Sequence, residues 1–272
     1  NNKIDIAVHS MKDVPVTLAK GIKQSAVLKR GSYKDILVLH PELTHHQEAF
    51  IINMVRSIHA NNTTKSEYRS LPLHEHPDKP GMPEDIVIAT SSIRRKAQWL
   101  NNFPRHKIEN LRGNVNTRLQ KLKESNWHGA IFAAAGLERL KLRPKNSIEL
   151  NWMLPSPAQG AIMVVCREND EITFELCHTM NDDKTALCTK IERDFLSALM
   201  GGCSTPISAL ARVRGGNASF HGNIVSPDGS KIASVACRDS IKNASDLGFR
   251  AAKIILEQDG QMLVDLIKSA KK

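Results

Sequence analysis

Twice within residues 85–125 a short β-branched run stops in a polar turn and a helical pattern starts at once: DIVIAT before SSIRRKAQWLNN, and IENLR before GNVNTRLQKLKES. A strand that runs straight into a helix reaches a neighbouring strand by crossover, so the pattern predicts βαβ units and a largely parallel sheet. IDIAV, KDILVL, GAIFAAA and AIMVVC supply further strand candidates. The two helices are expected to present Ile93, Ala97 and Leu100 on one face, and Val115, Leu119 and Leu122 on one face.

The last third changes style. A helix over about 185–200 aligns Leu187, Ile191, Phe195 and Leu199, and then come the strand-like runs ISALARVRG, ASFHGNIVS and KIASVACRD. SPDGSK between the last two is a turn signal, so these runs read as an antiparallel meander, with a final helix over roughly 244–269 covering one face. Between Leu39 and Ile86 lies a polar stretch with four prolines after position 70. It reads as a peripheral insertion over about 41–84, with one helix around HQEAFIINMVRSI. His74, Glu75 and His76 within it have no further ligands at a recognisable spacing, and no metal is expected. The chain opens without an initiator methionine and already alternates Ile4, Ile6 and Val8 as a strand, so part of a longer polypeptide is expected.

Length and charge narrow the function. At 272 residues and 41% hydrophobic content the chain can bury two or three cores. No apolar run approaches the roughly 20 residues that cross a bilayer, and no secretory leader pattern opens the chain, so a cytoplasmic address without membrane contact is expected. Five cysteines, an odd number without a C-x-x-C pair, argue against a disulfide framework or a zinc ribbon. Cys166 and Cys237 sit in strand-like runs, where packing is their expected role. The net charge of +10 calls for an anionic partner, but with 4% aromatic residues there are few platforms for stacking bases, and nucleic-acid binding is not the expected role.

Distribution of the arginines decides what kind of anion. Ser91 or Ser92 can cap the helix after DIVIAT, and Arg94 and Arg95 follow in its first turn. Cations there oppose the helix dipole, so they ask for an anion to offset the repulsion. Arg112 and Arg118 flank the second strand-to-helix turn, and Arg139 follows a third strand. Ligands of open α/β sheets bind beyond the carboxyl ends of strands, and several guanidinium forks on one edge suit a small polycarboxylate. AVHSMKDVP ends another strand with His9, Lys12 and Asp13; Asp13 is the only carboxylate read into this basic set, placed to accept N–H bonds and to move protons.

One thiol stands apart. In SALMGGCSTPI, Gly201 and Gly202 can stop the preceding helix and display Cys203 rather than bury it. Such a thiol suits covalent chemistry, and a free surface cysteine fits the spacing equally well.

Taken in order, AVHSMKDVP, TSSIRRKAQWL, LRGNVNTRLQKL, AIFAAAGLERL, PSPAQGAIMVVCR and IERDFLSALMGGCSTPI resemble the porphobilinogen deaminase family over nearly the whole chain. The resemblance implies an α/β fold of two lobes like those of periplasmic binding proteins, plus a C-terminal α+β domain with a small antiparallel sheet. The expected domains are 1–30 with 158–178, then 31–157, then 179–272. It implies a transferase of porphyrin and heme synthesis, hydroxymethylbilane synthase. Four porphobilinogen molecules lose ammonia and condense, through electrophilic azafulvenes, on a dipyrromethane primer, and water then releases the linear tetrapyrrole. The primer would be held by a thioether at Cys203. Asp13 would be the acid–base residue; Lys12, Asp13, Ser92, Arg94, Arg95, Arg112 and Gln159 would bind cofactor, and Arg112, Arg118 and Arg139 substrate. A monomer without metal is implied. The family's N-terminal strand and its basic loops are not matched, and the stretch before DIVIATSS is longer than the family's linker. The alternative reading is a non-enzymatic anion-binding receptor on the same two-lobed scaffold.

Overall fold

The computed structural model describes residues 4–61, 85–199 and 205–269. Three sheets organise them. The first has the order β1-β8-β2, from β1 (Ile6–Ser10), β8 (Ile162–Arg167) and β2 (Ile22–Val27), and β8 is antiparallel to both neighbours. The second has the order β5-β4-β6-β3-β7. Its strands are β3 (Asp35–Leu39), β4 (Val87–Ala89), β5 (Lys107–Glu109), β6 (Gly129–Ala133) and β7 (Ser147–Glu149). The third is the expected meander β11-β10-β9, from β9 (Ile207–Arg214), β10 (Asn217–Val225) and β11 (Ile232–Ser240).

The expectation of a largely parallel sheet is corrected. Among the described residues only β4 with β5 and β4 with β6 run parallel, and those are the strands joined through α2 (Ile93–Asn102) and α3 (Val115–Lys123). β3 lies antiparallel to β6 and β7. It arrives from the first sheet, and β6 separates it from β4, the next strand in the chain, so it is not paired with a sequence neighbour through a simple crossover. Both faces of β3 are nevertheless buried: Ile36 and Val38 join one core with Phe132 and Leu137, while Leu37 and Leu39 join another with Ile88 and Trp99. That explains its unbroken apolar run.

The polar insertion is corrected in part. α1 (His45–Asn61) places Ile51, Met54, Val55 and Ile58 in the same core as Leu37 and Trp99, so its first half is structural rather than peripheral. The proline-rich stretch and His74-Glu75-His76 lie outside the described residues. Among the described residues no cluster of three or more potential ligands is placed to hold a metal, and no helix is long and apolar enough to cross a membrane.

The expected apolar face of α2 is also corrected. Ala97 and Trp99 are buried, but so are Arg94, Arg95, Gln98 and Asn101, while Ile93 and Leu100 are half-buried. The helix is enclosed on its polar side because two other units meet it there. Gln98 bonds the Leu154 backbone in both directions and donates to Ser208 Oγ on β9, and Asn101 donates to the Gly229 carbonyl in the β10–β11 turn. Buried amides are tolerable when they are satisfied in this way.

α4 (Ala134–Arg139) follows β6 and α5 (Glu171–His178) follows β8; α6 (Asp183–Ala198) then opens the C-terminal unit. There Ile191 and Phe195 of α6 and Leu199 just after it share a core with Phe220, with α7 (Leu247–Ile255) and α8 (Gln261–Ser269) closing the core around Ala251 and Leu263. A π turn over Leu256–Gly260 divides the single terminal helix expected from the pattern. Cys166, Cys177, Cys188 and Cys237 are all buried and free.

Candidate active site

The chain passes from the first sheet to the second through residues 28–34 and returns through 155–161. The two passages touch: the Gly31 N–H donates to the Gly160 carbonyl at 3.0 Å. Gly160 has φ +84°, and a Cβ there would meet the Ser32 carbonyl oxygen at 2.5 Å, so only glycine fits. Ala158 beside it has φ +61°. The crossing places Gln159 inside the protein, facing the first residue of β3.

That residue is Asp35, fully buried at the centre of the site. Its carboxylate accepts from Arg94 NH2 at 2.7 Å, from Arg95 NH2 at 2.8 Å and Nε at 3.2 Å, and from Gln159 Nε2 at 2.9 Å. Burial pushes the carboxyl up, yet Arg94, Arg95 and the Gln159 amide together hold it below the ordinary carboxylate range. Asp13 is therefore not the only acid among these loops. Asp35 is an anion the two first-turn arginines require, and they pair with it inside the chain. Arg94 also donates to the Leu154 carbonyl and Arg95 to the Ile131 carbonyl, so at least three of the five N–H donors on each guanidinium are already engaged.

Two more cations approach from other loops. β1 ends in a 3₁₀ turn, Met11–Asp13, whose Met11 is buried while Asp13 is exposed. Lys12 is half-buried, and its ammonium is pulled down by burial and then by Arg95 and Arg94, against the opposite pull of Asp13 and Asp35. Arg118 is pulled down by burial and by Arg95, and its Nε donates to the Gly113 carbonyl at 2.8 Å. Among the described residues, Lys12, Arg94, Arg95 and Arg118 influence one another, and Asp13 and Asp35 are the carboxylates that act on Lys12. A local gathering of cations of this kind favours an anion nearby.

The remaining sequence candidates are more peripheral. Ser92 caps α2, accepting from the Arg95 N–H at 3.5 Å. Arg112 and Arg139 are exposed, and neither guanidinium has a hydrogen-bond or ion-pair partner among the described residues. Arg139 stands in the last turn of α4. Cys203 lies outside the described residues. Burial pushes the Cys188 and Cys237 thiols up to about 11, so neither supplies a thiolate near neutral pH.

Sequence reasoning missed three residues besides Asp35. Arg30 makes a bidentate pair with Glu192 of α6 at 2.6 and 3.0 Å, and Glu192 also accepts from the Ala158 and Ala211 N–H groups. Arg193 reaches the turn that carries Asp13. A charge inside an apolar run, as in KDILVL, was the available signal, because such a charge must be paired.

Fold and site together define a two-sheet α/β protein with an appended α+β unit and a cluster of cations gathered around the buried Asp35. Residues 1–175 match the family model described as Porphobilinogen deaminase, dipyromethane cofactor binding domain, and residues 186–257 match Porphobilinogen deaminase, C-terminal domain. A porphobilinogen deaminase of Listeria welshimeri is 31% identical over 99% of this chain and 77% of its own length. One of Thermus thermophilus is 32% identical over 98% and 79%, and a chloroplastic one of Oryza sativa 37% over 85% and 56%. The chain belongs to the porphobilinogen deaminase family. It is a transferase with hydroxymethylbilane synthase function and a dipyrromethane cofactor, which sets aside the receptor reading.

Proposed function

We propose that Asp13 is the acid–base group of this reaction and that the cations around Asp35 hold the acidic side chains of cofactor and substrate. The approach of Lys12 and Arg118 to the Arg94–Arg95–Asp35 cluster is the observation that supports this most directly. The bound dipyrromethane supplies a nucleophilic pyrrole carbon to start the chain. Lys12, Ser92, Arg94, Arg95 and Arg112 hold its carboxylates, Gln159 secures Asp35 behind the two arginines, and Arg112, Arg118 and Arg139 receive the incoming porphobilinogen. The exposed Asp13 carboxylate accepts pyrrole and amine N–H bonds, stabilises the positive charge that builds as ammonia leaves, and takes up the proton lost when the new bond forms.

Cys203 is the attachment point. Among the described residues every cysteine is buried, and in the sequence Cys203 follows Gly201-Gly202 at the end of a helical pattern, as the family resemblance expects of the attachment site. Residues 1–30 with 158–178, 31–157 and 179–272 act as three domains. The enzyme works as a monomer in a reducing, cytoplasmic setting without nucleic acid.

Mass spectrometry of the denatured holoenzyme tests the attachment: a dipyrrole adduct on the peptide containing Cys203 is expected, and its absence would overturn the assignment. Asp13→Asn is expected to keep the adduct and lose turnover, whereas near-normal rates remove Asp13 from the mechanism.

A further inference from the structure

Arg193, in the middle of α6, is nine-tenths buried and addresses peptide carbonyls of a distant segment. Its NH1 donates to Met11 O at 3.2 Å and to Val14 O at 3.0 Å; its NH2 donates to Pro15 O at 2.5 Å and to Val16 O at 3.0 Å. These four carbonyls belong to the turn that contains Lys12 and Asp13 and to the extended residues just after it.

Where a chain leaves a strand through one short turn, its carbonyls lose their ladder partners and need others. Within the turn, the Val14 N–H returns to Met11 O at 3.3 Å, and Pro15 has no N–H to give. One planar guanidinium therefore binds carbonyls on both sides of Asp13. A lysine has a single ammonium on a flexible stem and lacks the two-nitrogen fork that spans this set. On the other side, Met11 is anchored by its buried side chain and by its N–H to the Ala161 carbonyl at 3.0 Å. The turn is thus held at both ends while the Asp13 side chain itself stays exposed.

We propose that Arg193 is a positioning residue for Asp13: from α6 it fixes the Met11–Val16 backbone, so that the carboxylate meets the substrate nitrogen from a rigid turn. The inference rests on the reading of Asp13 as the acid–base group. A proton-transferring group displaced by about 1 Å can lose on the order of 100-fold in rate without loss of binding. The effect belongs in kcat, because Arg112, Arg118 and Arg139, proposed to receive the incoming substrate, lie outside this turn, and Lys12 within it is assigned to the covalently held cofactor, whose retention the adduct mass reports.

The test uses the holoenzyme, with each variant assayed well below its own melting temperature and its dipyrromethane adduct checked by mass. Arg193→Lys is expected to retain the adduct, to lower kcat about 10- to 100-fold and to leave KM within about threefold. Pro15→Gly, at an exposed position, loosens the same turn with Arg193 intact; it is expected to lower kcat several-fold at nearly unchanged melting temperature, and it decides the matter should Arg193→Lys not fold. A lower melting temperature for Arg193→Lys with kcat within twofold of the parent, and likewise an unaffected Pro15→Gly, would reduce Arg193 to a structural tie and overturn the proposal. Asp13→Asn run in parallel separates the two ideas: if it is inactive while the other variants turn over normally, the clamp alone fails, and if it is itself active, the acid–base assignment fails and the clamp with it.

Discussion

Replacing Asp35 by asparagine removes the one fully buried carboxylate that Arg94 and Arg95 share, while keeping the size of the side chain. The aspartate accepts four hydrogen bonds, three of them from the arginines. An asparagine keeps one acceptor oxygen and turns an NH₂ group toward donors, so two buried guanidinium groups lose their counter-ion. Breaking a buried pair by removing one partner costs about 3–5 kcal/mol, since a buried charge is left uncompensated. Against a total stability of roughly 5–15 kcal/mol, that corresponds to a melting temperature lower by roughly 10 °C. Urea denaturation followed by tryptophan fluorescence reads it directly, because Trp99 is buried on the same helix as the two arginines. The double variant Asp35→Asn/Arg94→Met is expected to recover part of the loss, as one stranded cation goes too. A loss below about 1 kcal/mol for the single variant, the range of exposed pairs, would refute the view that this carboxylate is the internal counter-ion of the site.

Gly160→Ala forces a Cβ to within 2.5 Å of the Ser32 carbonyl at φ +84°, and is expected to cost at least about 1–3 kcal/mol by the same denaturation assay, with a neutral result excluding a tight crossing. His106 is held neutral, pulled down to about 4 by burial and by His128, while its Nδ1 accepts from Trp99 Nε1 at 3.2 Å. The unfolded chain takes up the proton near 6.5 and the folded one only near 4, so wild-type stability falls as pH drops through that window, by up to about 3 kcal/mol from this group. His106→Asn is expected to flatten that part of the stability–pH curve, and an unchanged slope would count against a buried neutral imidazole.

Much of this molecule is legible in local pattern. The two strand-to-helix turns, the Ser92 cap, the meander and the apolar stripe of α6 all follow from spacing over a few residues, which is why they appear where expected. Six ordered motifs likewise carry the family. The direction of β3 and the polar burial of α2 do not appear in any local pattern, because each depends on which unit arrives from elsewhere in the chain.

The sequence by itself determined the element types, their order and the supply of arginines beside strand ends, since backbone propensity and capping act over one or two turns. Tertiary structure alone decided which charges meet. Asp35 lies 59 residues from Arg94, and Arg193 lies 182 from Met11; neither separation carries a periodicity. A buried charge selects its partner by proximity in space and by the cost of standing unpaired, and that selection exists only once the sheets and α6 have packed together.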